Sequence, residues 1–239
     1  MNAYDYDAVL EEMNRRYRTK KRTSRAVSRL IAILGITSFL YGWRLEPGVT
    51  IFRFLTVDGT VFTTLSAIIC SVVNFFEIAG NVEVTDEQIY YLRLSSCVAE
   101  SVIFIVAIFS QLPFFPEHLL IFDRYDSFVM HVLIPILCIV SFLINDASIG
   151  KLSPIQRWHG TRFVSCYAAV MIWLIWSRRL PSELIPYFFL DFRRNGWGLF
   201  FCAFAFVYVC AYLMSWRISE WNRKLSWVWF RGIAGREKK

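Results

Sequence analysis

Long apolar runs divide this chain, and they restrict its possible folds more than any other feature. Four runs of about 17–20 residues carry almost no charge, over 61–79, 94–112, 128–144 and 197–216. Because a helix rises about 1.5 Å per residue, each run can cross a hydrocarbon core of roughly 30 Å. Two shorter runs, 30–43 and 163–176, are flanked by arginines, whose long side chains extend the effective span. The sequence therefore predicts an all-α integral membrane protein with six transmembrane helices in one bundle.

The first apolar run, 30–43, could instead be the apolar region of a secretory signal peptide. It is preceded by 29 residues, which is long for a signal peptide, and Arg44, Glu46 and Pro47 follow it. A signal peptide requires small residues at the cleavage site in that position. The run is therefore interpreted as the first span.

Basic residues are concentrated at the two ends of the chain, which has a net charge of +7. Eight of the 26 lysines and arginines lie in residues 1–29 and seven in residues 217–239. Six spans place both ends on one side, and the positive-inside rule makes that side cytoplasmic. The predicted organisation is a basic cytoplasmic N-terminal arm (1–27), a six-span domain (28–216) and a basic cytoplasmic tail (217–239). Four arginines between the last two spans, in 178–194, oppose this orientation but are outnumbered.

The charge pattern favours membrane lipids over nucleic acid as the partner of the basic ends. Both tails would face anionic lipid of the inner leaflet, which indicates a multi-pass protein of the cell membrane. Apolar residues recur at helical spacing in the N-terminal arm, for example Tyr6, Leu10, Met13 and Tyr17. The arm is either an amphipathic helix on the membrane surface or a solvated basic segment.

Common catalytic and metal-binding motifs are missing from the sequence. No GxSxG, HExxH, P-loop, dinucleotide-binding or CxxC pattern occurs. All six cysteines fall in apolar runs, and no pair has the spacing of metal ligands. No cofactor and no metal site is predicted, and most of the cysteines are interpreted as packing residues.

A histidine and a threonine are the candidate catalytic residues. His131 is the one residue of the run 128–144 that can carry a charge near neutral pH, and ionisable residues inside membrane spans usually serve a function. Thr56, Thr60 and Thr63 lie on one face near the start of the second span. Thr56 and His131 are each about four residues inside spans that enter from the same side, roughly 6 Å deep. A hydroxyl and an imidazole at equal depth are the minimum for a nucleophile and its general base.

Each of these polar residues also has a structural interpretation. Threonines in membrane helices often bond to a backbone carbonyl one turn earlier. Deeper polar residues, which are Asn74, Glu77, Arg93 and Glu100, either form ion pairs between neighbouring helices or mark a proton or ion path. Asp58 either orients a partner or faces interfacial water.

Three segments resemble one known membrane-protein family. Phe54-Leu-Thr56 resembles the threonine motif of the androgen-induced and androgen-dependent TFPI-regulating proteins, and Met130-His131 with Leu133-Ile-Pro135 resembles their histidine motif. The segment Ile185-Pro-Tyr-Phe-Phe-Leu190 resembles their tyrosine- and proline-rich loop. The segments keep the family's order and spacing, and the start of the second span is similar to a bacterial six-span branch. Gly59 and Thr60 depart from the polar positions expected after the threonine.

The resemblance implies an intramembrane threonine hydrolase that cleaves fatty-acid esters of hydroxy fatty acids. Thr56 would then be the nucleophile and His131 the general base, with a membrane lipid ester as the substrate. The alternative function is a non-enzymatic transporter or channel that uses Glu77, Glu100 and His131 as a proton or ion path. A lipid-binding scaffold without turnover is a third possibility.

Overall fold

Helices make up nearly all of the regular structure in the computed structural model. The structure describes residues 3–48, 51–52, 54–80, 86–111, 124–146 and 148–234, and no strand occurs among them. The chain ends and most of the connections between the second and third and between the third and fourth apolar runs, 81–85 and 112–123, lie outside these residues.

Six long helices follow one another in the part of the chain that the structure describes. Their bounds are α1 Ala3–Leu45, α2 Leu55–Ile78, α3 Asp86–Ile105, α4 Tyr125–Asn145, α5 Arg162–Trp176 and α6 Phe192–Ala234. Helix α3 continues as a π-helical segment over Val106–Gln111, and a short helix with a 3-10 turn leads into α5. The predicted N-terminal arm and the first span thus form one continuous helix.

Five of these helices are long and apolar enough to cross a membrane: Asn14–Leu45, Leu55–Ile78, Glu87–Ile108, Tyr125–Asn145 and Phe192–Val228. The remaining predicted span, the fifth along the chain, corresponds to α5, which has 15 residues and falls short of the roughly 20 that a bilayer requires. The described residues therefore form an all-helical structure with five candidate spans.

The pairs α1–α2, α2–α3, α3–α4 and α5–α6 run antiparallel, because each pair makes two contacts in opposite chain order. Near the end of α2, Asn74 donates a hydrogen bond to Ser24, near the middle of α1. Nearer the start of α2, Thr64 lies against Gly35, which is further along α1. Helix α6 returns along α5, with the Tyr208 hydroxyl 2.8 Å from Ser165 Oγ. The described ends of α1 and α6, Ala3 and Ala234, therefore share one end of the bundle, which we call the basic end. The opposite end, where α2 and α4 begin, is called the site end.

Helix α3 is the centre of the bundle. In the most apolar 18-residue stretch of α3, 78% of the residues are buried, against 17–39% in the corresponding stretches of the other candidate spans. Small side chains, such as Ser95, Ser96, Cys97 and Ala99, cover its surface, so neighbouring helices approach closely. The large apolar side chains of α1, α2 and α6 instead face outward, as expected for lipid contact.

Candidate active site

Thr56 lies in the first turn of α2, which begins at Leu55. The first backbone bond of the helix runs from the Asp58 N–H to the Phe54 carbonyl, at 3.2 Å. The amides before Asp58 have no acceptor within the helix, and the positive end of the helix dipole lies there. Thr56 itself is 7% exposed. The hydroxyl is thus held at a position where negative charge is stabilised.

His131 lies in a π-helical segment, Val129–Leu133, inside α4. The Ile134 N–H bonds to the Val129 carbonyl, five residues back, and Pro135 follows. Proline has no N–H for the carbonyl of His131, four residues earlier, and its ring would clash with that carbonyl in a regular helix. We attribute the widened turn to Pro135. Such π-bulges frequently occur at functional sites.

The two predicted residues meet across α2 and α4. Thr56 Oγ1 lies 3.1 Å from His131 Nε2. On the other side of the ring, Nδ1 lies 2.8 Å from the carbonyl oxygen of Ser127. Because a carbonyl accepts only, Nδ1 carries the proton and Nε2 presents a lone pair to the threonine hydroxyl. This tautomer is the one that a general base requires.

A cavity of about 410 Å³ opens beside this pair at the site end. Its volume lies in the range of small-molecule sites, roughly 300–1,000 Å³. Apolar walls come from Leu45, Ile51 and Met130. Arg124 and Asp126 form an ion pair in the wall, with a shortest N–O distance of 2.8 Å. The cavity therefore combines apolar surface with a few polar groups around Thr56.

Tyr187 also lines the cavity beside Thr56. It belongs to the connection between α5 and α6, and its side chain lies beside Thr56 and the backbone of Leu55. Burial raises the pKa of Tyr187 to about 12, despite these contacts, which lower it. The phenol is thus protonated at neutral pH and can donate a hydrogen bond toward a ligand of Thr56. Tyr187 lies in the segment that resembles the family's tyrosine-rich loop, but the spacing of the sequence gives no role for it.

The deeper polar residues find separate partners. Glu77 pairs with Lys21 at 2.8 Å, which joins α2 to α1. Arg93 is 1% exposed and pairs with Asp146 at 3.1 Å, which joins α3 to α4. Both are ion pairs between neighbouring helices, which was one of the two interpretations of these polar residues. Their partners, Lys21 and Asp146, lie outside the group of polar residues considered from the sequence.

Glu100 and Asp58 stand apart from those pairs. Both carboxylate oxygens of Glu100 are buried and have no hydrogen-bond partner in the described part of the chain, although Thr63 lies close by. Asp58 is half-buried near Tyr167 and Tyr187 and does not line the cavity beside Thr56.

The cysteines are free thiols at mixed depths. Cys70, Cys97 and Cys138 are buried, and the sulfurs of the last two lie 3.4 Å apart between α3 and α4. Within the described ranges no group of three or more histidine, cysteine or acidic side chains has the arrangement of a metal site.

Comparisons with protein-family models, with curated proteins and with solved structures give no match for this chain. The functional interpretation therefore depends on the geometry of the site.

Proposed function

We propose that this protein is an intramembrane hydrolase that cleaves a lipid ester, with Thr56 as the nucleophile and His131 as the general base. The observation that carries the proposal is the 3.1 Å contact between Thr56 Oγ1 and His131 Nε2, beside a partly apolar cavity. Two residues 75 positions apart in sequence meet with the correct tautomer of the base, and the resemblance implies the same two residues.

In the proposed reaction, Nε2 of His131 takes the hydroxyl proton while Thr56 Oγ1 attacks the ester carbonyl carbon. The negative oxygen of the tetrahedral intermediate accepts hydrogen bonds from first-turn amides of α2, which have no acceptor within the helix, and from the Tyr187 hydroxyl. Collapse of the intermediate breaks the bond to the alkoxy oxygen, which takes the proton from His131. An acyl ester on Thr56 remains.

Water then completes the turnover. His131 removes a proton from a water molecule, which attacks the acyl carbon. The second tetrahedral intermediate collapses with cleavage of the bond to Thr56 Oγ1, His131 returns the proton to that oxygen, and the fatty acid leaves. The carboxylate of Asp126 lies on the same cavity wall and stabilises the imidazolium that forms transiently in both steps.

The topology that we propose has six spans, with α5 as the fifth, and a cytoplasmic basic end in the cell membrane. Helical turns from Pro154 to Thr161 precede α5 without a break, so the continuous helical segment is longer than α5 itself. Trp173 and Trp176 of α5 are exposed, as expected for contact with lipid. The basic ends would then contact anionic lipid of the inner leaflet.

Ester hydrolysis by purified protein tests the proposal, with long-chain fatty-acid esters of hydroxy fatty acids as substrates. Thr56→Val keeps the shape but removes the nucleophile, and His131→Gln removes the base. We expect each to lower kcat by at least about 100-fold. Thr60→Val, one turn further along the same face, is the matched control and keeps activity. Hydrolysis at the wild-type rate by both site variants would refute the proposal.

The unpartnered Glu100 favours a second candidate, the proton or ion path. Against a continuous path, Glu77 and Arg93 are held in ion pairs with Lys21 and Asp146. Proton flux into liposomes distinguishes the two functions, because flux that is lost in Glu100→Gln and kept in Thr56→Val belongs to transport.

A further inference from the structure

A second cavity of about 730 Å³ lies between α2, α3 and α5, and it shares no lining residue with the cavity beside Thr56. It is lined by Glu87 at the start of α3 and by His159 and Arg162 at the start of α5. These chain positions place it toward the basic end.

The floor of this second cavity is apolar. The rings of Phe62 and Phe163 stack with centroids 4.7 Å apart at an angle of 13°. Leu65 and Ile69 follow Phe62 on the same face of α2 and are 54% and 45% exposed. An apolar surface thus continues from the cavity onto the lipid-facing side of the bundle, as a hydrocarbon chain requires.

The rim of the second cavity carries both signs of charge. Arg162 and Glu87 are exposed, and neither forms an ion pair with another described residue. Burial lowers the pKa of His159, and the Arg162 cation lowers it further, whereas the Glu87 carboxylate raises it. The imidazole is therefore neutral at pH 7, and Arg162 is the one cation of the described rim.

Tyr91 adds a buried hydroxyl to this rim. Its ring lies 4.4 Å from that of His159, and the residue is 8% exposed. The hydroxyl makes no hydrogen bond that satisfies normal geometry within the described residues, although Glu87 and Gln156 are near it. A buried hydroxyl of this kind is expected to find a partner, which a ligand oxygen supplies.

We propose that the second cavity binds a phospholipid with a primary-amine headgroup. The phosphate lies against the Arg162 guanidinium and the Tyr91 hydroxyl, the ammonium against the Glu87 carboxylate, and an acyl chain against Phe62 and Phe163. Guanidinium groups bind phosphate in a bidentate manner, and an ammonium group donates charge-assisted hydrogen bonds to a carboxylate. A glycerol headgroup has no cation to pair with Glu87, and a choline headgroup has no N–H to donate.

Native mass spectrometry of the detergent-purified full chain tests this site. Phosphatidylethanolamine, phosphatidylcholine and phosphatidylglycerol with identical acyl chains are titrated separately. We expect the ethanolamine lipid to bind about tenfold more tightly than either other lipid, because it alone combines a phosphate for Arg162 with an N–H-donating cation for Glu87. Arg162→Gln lowers that affinity about tenfold, and Glu87→Gln removes the preference over phosphatidylcholine.

Matched controls separate this site from general lipid adhesion. Arg22→Gln and Glu183→Gln change exposed charges elsewhere and should leave the order of affinities unchanged. Equal binding of the three lipids, preference for phosphatidylglycerol, or equal losses in the control variants would each overturn the proposal. The site does not depend on ester hydrolysis, so Thr56→Val should bind the lipid as the wild type does.

Discussion

Pro135 cannot donate a hydrogen bond to the carbonyl of His131, and the helix ahead of it widens over Val129–Leu133. The wider turn changes the direction of the residues within it. In this account, the 3.1 Å approach of His131 Nε2 to Thr56 depends on that backbone irregularity.

Replacement of Pro135 tests this dependence at the residue scale. Pro135→Ala restores an N–H, so α4 can close into a regular helix and move the imidazole away from Thr56. A misplacement of about 1 Å costs roughly 100-fold in rate, and we expect a loss of that size in kcat. Pro154→Ala, at the start of a short helix near the basic end, is the control. Unchanged kcat in Pro135→Ala would show that the proline does not position the base.

Tyr187 gives a second prediction at the residue scale. Tyr187→Phe removes the hydroxyl beside Thr56, and one lost oxyanion donor typically lowers kcat by about 100-fold. Tyr208→Phe removes a hydroxyl that bonds Ser165 between α5 and α6, and it should leave kcat unchanged. An unaltered rate in Tyr187→Phe would remove this residue from the mechanism.

The sequence predicted only part of the site at this scale. Thr56 and His131 were found because depth can be counted along two apolar runs. Ser127 and Tyr187 could not be assigned in this way. The Ser127 contact uses a backbone carbonyl, which no side-chain pattern reports, and Tyr187 reaches Thr56 from a connection whose path depends on tertiary packing.

Small residues determine how α1 packs on α2. Ser24, Ser28 and Gly35 are buried and recur along one face of α1, and Ser24 accepts a hydrogen bond from Asn74 of α2. A Cβ on Gly35 would lie 1.9 Å from Thr64 Oγ1, so the two backbones are in close approach.

Alanine scanning of glycines tests this packing at the element scale. We expect Gly35→Ala to lower the free energy of unfolding by about 1–3 kcal/mol, because Thr64 would have to move. Gly198→Ala in α6 is the control, since its added Cβ meets no atom within 4 Å. Denaturant titration of both variants measures the difference, and equal stabilities would contradict the close approach.

Helix positions were predicted more successfully than helix ends and polar partners. Apolar runs located all six helices, but α1 and α6 extend well beyond them through charged residues, which a hydropathy pattern does not include. The sequence placed Arg93 and Glu77 in one polar cluster. The structure pairs each with a different helix, because the partner depends on which helices are neighbours.

The number of membrane crossings is a property of the whole molecule, and α5 decides it. With its 15 residues, α5 is the one long helix that does not reach the usual length of a span. Six crossings put both chain ends on the same side, whereas five put them on opposite sides.

Protease protection of tagged protein in sealed inside-out vesicles shows whether the two chain ends lie on the same side of the membrane. Tags at the N-terminus and at the C-terminus should both be cleaved, because six spans leave both on the cytoplasmic side. Cleavage of one tag and protection of the other would establish five crossings and an α5 that does not span.

Chemical labelling of the nucleophile tests the proposed hydrolase most directly. A lipid fluorophosphonate that enters the cavity loses fluoride and forms an oxygen–phosphorus bond with the activated hydroxyl. The adduct is located by peptide mass spectrometry of the purified protein. We predict an adduct on Thr56 in the wild type and no adduct there in His131→Gln. An adduct on a different residue, in a protein whose Thr56→Val variant still hydrolyses lipid esters, would contradict the account.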